Sequence, residues 1–489
     1  MAEAEPIQRE SMEYDVVIVG GGPAGLSAAI RLKQVNPEIT VCLVEKGSEV
    51  GAHILSGAVI DPVGISELFP DWKERGAPLD TPVTDDRFYM LGPAGSIRIP
   101  NFIFPPLMNN HGNYIASLSN VCKWLAQQAE ALGVEIYPGF PAAALVIEGG
   151  VVKGVTTGDM GVAKDGHHKG EFTPGMNLLG KYTLFAEGAR GSLSKQLGKI
   201  FNLHDGRDYQ KFGIGLKELW ELPPEKHKKG MVLHTFGWPL DNSTGGGIFM
   251  YHWGENLCSI GFVLHLNYSN PYISPFDEFQ RVKQHPLVRQ YLEGGKRIGY
   301  GARAVTEGGI QSIPKLAFPG GALVGCAAGF MNVPRIKGSH NAVKSGMLAA
   351  EAIAEALAAG RAGDTVDAYE ENLRESHIYQ DLKRVRNVKP LWSRFGTFFG
   401  LMPLGGIDMW FNTLFGFSPF GTLKHGKPDY ATLKPASASK KIAYPKPDGV
   451  ISFDKLSSVF LSNTNHEEDQ PVHLKLTDPS IPIRVNLPE

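Results

Sequence analysis

The pattern of apolar positions near the start of the chain predicts a strand, a helix and a second strand. Val16 to Val19 is a continuous β-branched run, which is typical of a parallel strand buried on both faces. Leu26 to Leu32 has helical character, and a second apolar run, Ile39 to Val44, predicts another buried strand. This order is that of a βαβ unit with a parallel sheet.

Three further segments extend the predicted sheet. Asn113 to Gly133 is predicted to be an amphipathic helix. A hairpin is predicted over Ala142 to Ile147 and Val151 to Thr156, with glycines at its turn. Lys181 to Gly191 is predicted to be a strand that ends in Glu187-Gly188.

Residues 213–266 change character, because apolar runs alternate there with glycine and proline. Four strands are predicted: Ile214–Leu219, Met231–Phe236, Ile248–Trp253 and Cys258–Leu264. A helix is predicted over Phe276 to Leu292. Ala322 to Val324 then predicts a buried strand, and Ser339 to Leu357 a long Ala-rich helix. Together, these predicted strands and helices favour an antiparallel sheet that packs against an α/β domain.

Composition restricts the classes of function. With 489 residues the chain is long enough for two or three domains, and its 43% apolar content is that of an ordinary globular protein. The formal net charge of −2 argues against a general nucleic-acid binder. The first residues show neither the apolar core of a secretory signal nor the Arg-rich character of a transit peptide, which indicates a cytoplasmic-side or already processed form.

The cysteines do not predict a disulfide framework or a metal site. Cys42, Cys122, Cys258 and Cys326 lie far apart in sequence and include no C-x-x-C pair. Buried, reduced thiols are therefore expected. His167-His168 lies in a polar stretch that is predicted to be a solvated loop rather than a metal site.

The glycines after the first strand predict a dinucleotide site. Gly20, Gly22 and Gly25 have the G-x-G-x-x-G spacing, in which the glycines allow a tight turn, the approach of a pyrophosphate and close helix packing. Glu45 ends the second strand, where it is placed to bind ribose hydroxyls. Because similar segments recur far downstream, one extended FAD is favoured over NAD.

Those later segments are Glu187-Gly188 and Gly325-Cys326, each at the end of a predicted strand. A strand that stops at glycine exposes its backbone to a cofactor. His53, in a loop of small residues, is a candidate flavin neighbour, although a hydrogen-bonded surface histidine is the alternative.

Residues 390–423 predict a membrane-surface segment. The stretch is rich in Phe, Trp, Leu and Met, and Lys383, Arg384, Arg386 and Lys389 precede it. Its longest charge-free piece would reach about 20 Å as a helix, against about 30 Å of hydrocarbon. Such a segment suits a helix that lies in one leaflet's interface; a core helix pair is the alternative.

Long motifs resemble those of the electron transfer flavoprotein-ubiquinone oxidoreductase family. They include VVIVGGGPAGLSAA, GAHILSGA, FAEGARG, GIGLKELW, GGKRIGYGARA and GCAAGFMNVPRIKGSHNAVKSGMLAAE. The resemblance implies a glutathione-reductase-type FAD-binding Rossmann domain with an inserted antiparallel quinone domain and a monotopic membrane surface. It also implies that the protein accepts electrons from reduced electron transfer flavoprotein and reduces ubiquinone to ubiquinol.

By this resemblance, the FAD would be lined by Gly20, Gly22, Gly25, Glu45, Gly188, Gly325 and Cys326. Gly246 and Gly247 match a quinone-contacting glycine pair, and glycines leave room for a flat ring. No side chain need act as a nucleophile; Tyr251 and His252 are candidate proton donors, with packing as the alternative. The expected partners are electron transfer flavoprotein, ubiquinone and the lipid surface.

The resemblance also implies a domain plan. Residues 1–212 and 300–365 would bind FAD, 213–299 ubiquinone, and 366–425 the membrane, at a bacterial inner membrane's cytoplasmic face or a mitochondrial inner membrane's matrix face. Residues 426–489 would lead to a ferredoxin-like [4Fe-4S] module, whose cysteine ligands this chain lacks beyond Cys326.

Three alternatives remain open. The protein could be a FixC-type flavoprotein whose cluster is on another polypeptide, or a geranylgeranyl-reductase-like membrane flavin reductase. A membrane-bound flavin scaffold without catalysis is a third hypothesis.

Overall fold

The computed structural model of the protein describes residues 7–55, 57–472 and 478–484. The first residues of the predicted FAD-binding domain and parts of the predicted C-terminal extension lie outside these ranges.

The described residues form twenty β-strands: β1 (Ser11–Val19), β2 (Val41–Glu45), β3 (Ala58–Ile60), β4 (Thr81–Pro82), β5 (Asp85–Leu91), β6 (Ser96–Ile99), β7 (Tyr114–Ala116), β8 (Glu135–Pro138), β9 (Ala142–Glu148), β10 (Val151–Thr157), β11 (Met160–Val162), β12 (His168–Thr173), β13 (Asn177–Phe185), β14 (Phe212–Glu221), β15 (Met231–Gly237), β16 (Gly246–Trp253), β17 (Leu257–His265), β18 (Lys296–Thr306), β19 (Ala317–Phe318) and β20 (Gly321–Leu323).

They also form thirteen α-helices: α1 (Pro23–Val35), α2 (Val63–Leu68), α3 (Leu118–Ala131), α4 (Ser192–Ile200), α5 (Pro275–Lys283), α6 (Pro286–Leu292), α7 (Ser339–Ala358), α8 (Ala368–Glu375), α9 (His377–Arg384), α10 (Val388–Phe395), α11 (Gly406–Phe415), α12 (Lys455–Phe460) and α13 (Ile481–Arg484). A π-helix, Gly396–Gly405, joins α10 to α11. Short 3₁₀ turns occur at Asn101–Ile103, Pro106–Met108, Ile310–Ser312, Gly325–Ala327, Asp429–Thr432 and Ala436–Ala438.

The first sheet has the strand order β19-β20-β13-β1-β2-β8, and β10 and β9 extend it from β13. Strands β20, β13, β1, β2 and β8 are parallel. The apolar runs of β1 and β2 are buried on both faces because helices cover the sheet. The predicted FAD-binding Rossmann-like α/β fold is therefore present.

The second sheet has the strand order β18-β14-β17-β16-β15-β5-β6. Its pairs are antiparallel except β15 with β5. All four strands predicted within 213–266 lie in it. The sheet also takes β5 and β6 from the N-terminal part of the chain, where the sequence analysis identified no strands.

Two predicted helices are divided in the structure. Asn113 to Gly133 begins as strand β7, which pairs with β3 and β4, and becomes helical only after Ser117, whose hydroxyl accepts from the Asn120 N–H and caps α3. Phe276 to Leu292 forms α5 and α6, because Pro286 begins a new helix. The predicted solvated loop around His167-His168 contains the small β11-β12 hairpin.

Candidate cofactor and quinone site

Four neighbouring parallel strands of the first sheet end at one edge. Val19 of β1 lies beside Phe185 of β13 and Val44 of β2, and Phe185 lies beside Leu323 of β20. The residues that follow these strands therefore lie along one edge, as they do where α/β sheets bind ligands. The set comprises Gly20, Glu45, Glu187, Gly188, Gly325 and Cys326.

The turn between β1 and α1 has space for a phosphate. Gly20 has φ +108°, in the region that favours glycine, and a Cβ there would lie 2.6 Å from the Ala186 carbonyl oxygen. A Cβ on Gly25 would lie only 2.0 Å from the Gly20 carbonyl oxygen, so helix and strand approach closely. A Cβ on Gly22 would meet nothing within 4 Å.

The α1 N-terminus beside this open space suits an anion. No side chain among the described residues caps the helix at Gly22, and its first turn has no acidic residue. Uncapped N–H groups and the positive end of the helix dipole favour a phosphate at this position. The residues present therefore fit the pyrophosphate of FAD.

Glu45 is held at the end of β2 by two backbone groups. One carboxylate oxygen accepts from the Gly21 N–H at 2.9 Å and the other from the Gly47 N–H at 2.8 Å. These bonds orient the carboxylate across the phosphate turn, and each oxygen retains a lone pair for a ribose hydroxyl. The His53 ring lies 4.0 Å from Glu45 and is half exposed. Burial is the main cause that lowers the pKa of His53.

Glu187 stabilises helix α4 in this structure. Its carboxylate accepts from the Ser194 N–H and hydroxyl, each at 2.6 Å, and from the Leu193 N–H at 3.2 Å. It thus caps a helix whose N-cap residue, Gly191, has no side chain. At neighbouring Gly188 a Cβ would meet nothing within 4 Å, so the backbone there is accessible.

The third segment packs against α1 and α7. Gly325 has φ +62°, a Cβ there would lie 2.8 Å from Ala24, and its N–H donates to the Ser345 hydroxyl at 2.9 Å. Burial raises the pKa of Cys326, which therefore remains a thiol. A thiol and a bare backbone leave this strand end without a charge.

The glycine pair Gly246-Gly247 begins β16 and is tightly packed. A Cβ on Gly246 would lie 2.2 Å from the Val263 carbonyl oxygen, and one on Gly247 would lie 1.9 Å from that of Thr235. The glycines are therefore required for sheet packing, whatever else they bind.

The loop before this pair contacts residues 388–420, which contain α10, the π-helix and α11 and which we call the helical segment. The Asn242 side-chain oxygen accepts from the Phe398 N–H, and the Asn242 carbonyl from the Thr397 N–H, both at 2.9 Å. The glycine pair thus follows directly on a loop that is hydrogen-bonded to the π-helix.

Tyr251 and His252 lie farther along the same strand. Tyr251 lies four positions after Gly247, which corresponds to about 13 Å of extended strand. Because Tyr251 and His252 are consecutive residues of β16, their side chains point to opposite faces of the sheet. The Tyr251 hydroxyl lies 2.9 Å from the His234 Nε2, whereas His252 accepts from the Lys228 N–H at 3.1 Å. Burial lowers the pKa of both histidines to about 3, so both are neutral.

Exposed apolar side chains are concentrated on the helical segment and on the 3₁₀ turn at 101–103. The Trp410 indole N–H donates to the Ile103 carbonyl at 2.8 Å, so the two segments are neighbours. We call their exposed side chains the apolar surface; it comprises Phe102, Ile103, Phe395, Phe398, Phe399, Ile407, Leu414, Phe415, Phe417 and Phe420. No helix among the described residues combines the length and apolar character needed to cross a membrane.

Two of the four cations predicted to face lipid are buried instead. Lys389 donates to Glu307 at 2.8 Å, and Arg386 donates to Asn412 at 2.6 Å. Only Lys383 and Arg384 of this group have side chains that reach the surface. An ion pair with Glu307 holds Lys389 inside the protein, and hydrogen bonds to neutral groups hold Arg386 there, so neither cation is available to lipid.

The sequence analysis missed the polar partners on the second sheet. His234 and Lys217 were not singled out, although GIGLKELW contains Lys217. A lone cation within an alternating strand was the available signal.

The described residues show no arrangement that would hold an iron-sulfur cluster. The chain's four cysteines are free, and among the described residues no group of three or more His, Cys, Asp or Glu side chains is arranged to hold a metal ion. Such a cluster needs four grouped thiolates.

Family models match three parts of the chain. Residues 15–71 match an FAD binding domain, and residues 212–305 match the ubiquinone-binding domain of ETF-QO. Residues 449–489 match the 4Fe-4S domain of electron transfer flavoprotein-ubiquinone oxidoreductase and contain no cysteine. This last match lies within the chain, whereas the sequence analysis expected the module to begin after it.

Curated relatives are similar over nearly the whole chain. An electron transfer flavoprotein-ubiquinone oxidoreductase of Pseudomonas aeruginosa is 60% identical over 99% of this chain and 88% of its own length. The mitochondrial proteins of that name from Rattus norvegicus and Homo sapiens are 56% and 54% identical, over 99% of this chain and 80% of theirs.

Solved structures share the fold at low identity. A geranylgeranyl bacteriochlorophyll reductase-like protein from Thermoplasma acidophilum matches with a TM-score of 0.57 at 17% identity, over 83% of this chain and 97% of that one. A flavoprotein/dehydrogenase from Cytophaga hutchinsonii matches with a TM-score of 0.55 at 15% identity, over 84% and 95%.

Proposed function

The chain belongs to the electron transfer flavoprotein-ubiquinone oxidoreductase family, and from this we propose that it transfers electrons from reduced electron transfer flavoprotein through FAD to ubiquinone. FAD supplies the redox chemistry when it is bound. The residues of the chain bind and orient the coenzyme and the quinone and exclude water.

Hydrogen bonding between the Gly246-Gly247 loop and the π-helix is the observation that most supports a quinone site. Asn242, in this loop, accepts from two backbone N–H groups of the π-helix. A lipid-soluble quinone that enters beside Phe398 would therefore reach bare strand backbone after a short distance. Because the Val263 and Thr235 carbonyl oxygens fill the Cβ positions of the two glycines, the pair would contribute backbone N–H groups to a quinone carbonyl rather than space for its ring.

For FAD we propose the residues along the strand-end edge. Gly20, Gly22 and Gly25 would form the pyrophosphate turn and Glu45 would accept from the adenosine ribose. Gly188, Gly325 and Cys326 would line the coenzyme farther along the same edge. His53 and Glu187 would lie near the coenzyme, and Glu187 would act through helix α4, which it caps.

For proton supply, the geometry favours Tyr251 over His252. Tyr251 lies on the same face as Gly247 and is hydrogen-bonded to His234, whereas His252 points to the other face. The distance of about 13 Å along the strand means that Tyr251 would act through an intervening group rather than by direct contact.

For the membrane contact we propose that the apolar surface lies in one leaflet. Its phenylalanines are exposed although the segment packs its other side on a core that includes Val388 and Met409. Exposed aromatic side chains on short helices are typical of interfacial binding. The protein would then be peripheral, at a bacterial inner membrane's cytoplasmic face or a mitochondrial inner membrane's matrix face.

We retain the domain plan as a proposal, with one addition. Residues 1–212 and 300–365 would bind FAD, 213–299 ubiquinone, and 366–425 the membrane. Strands β5 and β6 would belong with the quinone-binding sheet, because β5 pairs with β15. Because residues 449–489 match the 4Fe-4S domain, residues 426–448 would lead into that region, and we derive no electron step through a cluster from this chain's residues.

A geranylgeranyl-reductase-like activity is not favoured. The structural likeness to such a protein has only 17% identity and reflects the fold alone. The relatives at 54–60% identity all have the quinone oxidoreductase name.

Reoxidation of the bound flavin tests the quinone part of the proposal. FAD-loaded protein reduced with dithionite under anaerobic conditions should regain its flavin absorbance when a short-chain ubiquinone is added. The corresponding quinol is the control and should have no effect. Flavin that stays bleached with the quinone would contradict the proposal.

A further inference from the structure

One lysine on the second sheet has no charged partner. The Lys217 ammonium donates to the carbonyl oxygens of Gly57 at 2.7 Å and Leu55 at 3.3 Å. No carboxylate among the described residues lies within 4.0 Å of it. Burial lowers the pKa of Lys217 to about 8, and no neighbouring charge offsets this effect. A partly buried cation that is held by carbonyl dipoles and by no carboxylate among the described residues is suited to an anionic ligand.

Glycines lie beside Lys217 on both neighbouring strands, and the side chains of Leu55 and Phe249 cover them. It is paired with Gly301 of β18 on one side and Gly261 of β17 on the other, and Gly261 is paired with Phe249 of β16. Directly paired residues share a face of the sheet. The Phe249 ring lies across Gly261, and its centroid is 5.5 Å from the Lys217 ammonium.

The sheet face that includes Lys217 packs against the loop that follows Glu45, the proposed ribose-binding residue. This loop runs from Glu45 to Gly57, and the two carbonyls that hold Lys217 are at its end. Arg303, on the neighbouring strand, also holds the loop by donating to the His53 carbonyl at 2.7 Å. The loop therefore connects the adenosine end of the proposed coenzyme site to the glycine-flanked lysine.

We propose that Lys217 is a positioning residue that faces the isoalloxazine ring of FAD and stabilises the negative charge of its reduced form. The inference rests on the proposed FAD site and adds a residue that determines the reduction potential. The cation would interact more strongly with the reduced ring than with the neutral oxidised one, so it would bind the reduced coenzyme more tightly.

The midpoint potential of the bound flavin tests this inference. Lys217→Met removes the charge and should weaken the binding of reduced relative to oxidised FAD at least tenfold, which lowers a two-electron potential by about 30 mV. Lys217→Arg should restore most of the difference. Lys296→Met, at an exposed lysine of the same sheet, is the matched control and should leave the potential unchanged.

Each other result contradicts the inference. If Lys217→Met retains FAD and its preference for reduced over oxidised FAD changes less than threefold, the cation lies away from the ring. An unchanged potential with a raised KM for quinone would assign the lysine to the quinone. Equal loss of oxidised FAD from Lys217→Met and Lys217→Arg would assign it to the packing of the loop.

A second neutral variant keeps the test possible if Lys217→Met does not fold. Lys217→Gln retains an N–H that can donate to the Gly57 carbonyl, and it should lower the potential as the methionine variant does. These potentials need no quinone turnover, so failure of the inference and failure of the proposed function give different results.

Discussion

Removing two phenylalanines from the apolar surface should release the protein from membranes. Phe102 and Phe399 are 82% and 69% exposed, on the two segments joined by Trp410. If a phenylalanine has about 200 Å² of surface, the pair exposes about 300 Å². At about 25 cal/mol per Å², complete burial in hydrocarbon would contribute about 7.5 kcal/mol.

An interfacial position covers about half of that area, which corresponds to about 4 kcal/mol. The double variant Phe102→Ser/Phe399→Ser should therefore lower the partition coefficient nearly a thousandfold, because about 1.4 kcal/mol corresponds to each factor of ten. Folding should be unaffected, since both side chains are already exposed.

Flotation with neutral phosphatidylcholine vesicles measures this partition without an electrostatic contribution. Phe460→Ser is the matched control, because Phe460 is 83% exposed but lies on α12, outside the apolar surface. Equal flotation of the double variant and the unchanged protein would refute the assignment of this surface to the membrane.

Three further changes test the site and its stability. Gly25→Ala should abolish FAD retention, measured by absorbance after gel filtration, because its Cβ would lie 2.0 Å from the Gly20 carbonyl oxygen; full retention would contradict the turn geometry. Gly247→Ala should lower the free energy of unfolding by about 3 kcal/mol or more through collision with the Thr235 carbonyl, and an unchanged denaturant midpoint would contradict it. Because the folded-state pKa of His252 is lowered to about 3, the unfolded chain binds its proton first as the pH falls below about 6.5, so stability is lost toward acid. His252→Asn should reduce the loss between pH 7 and pH 5 by about 2 kcal/mol, and equal pH slopes in urea titrations would argue against a buried neutral histidine.

The strand-end edge of the first sheet was predictable because its signals are local. A buried β-branched run, a glycine turn and a helix follow one another within β1 and α1, and each has a physical requirement that few residue types meet. Glu187 shows the limit of such signals. The same strand-end position suits a cofactor contact, but only the structure reveals that its carboxylate caps α4.

The second sheet and the cations were less predictable because their partners are distant in sequence. Strand β5 pairs with β15, about 145 residues farther along the chain. Lys389 was expected at a lipid surface, yet its partner is Glu307, 82 residues away. Lys217 could have been singled out as a cation within an alternating strand, but only the structure shows that its ammonium meets carbonyl oxygens and no carboxylate among the described residues.

Anaerobic electron transfer from partner to quinone tests the account most directly. Reduced electron transfer flavoprotein mixed with the FAD-loaded protein should bleach its flavin, and ubiquinone should then restore the absorbance with one ubiquinol formed per two electrons supplied. A chain that remains colourless after incubation with FAD, or a flavin that is bleached but not restored by ubiquinone, would contradict it.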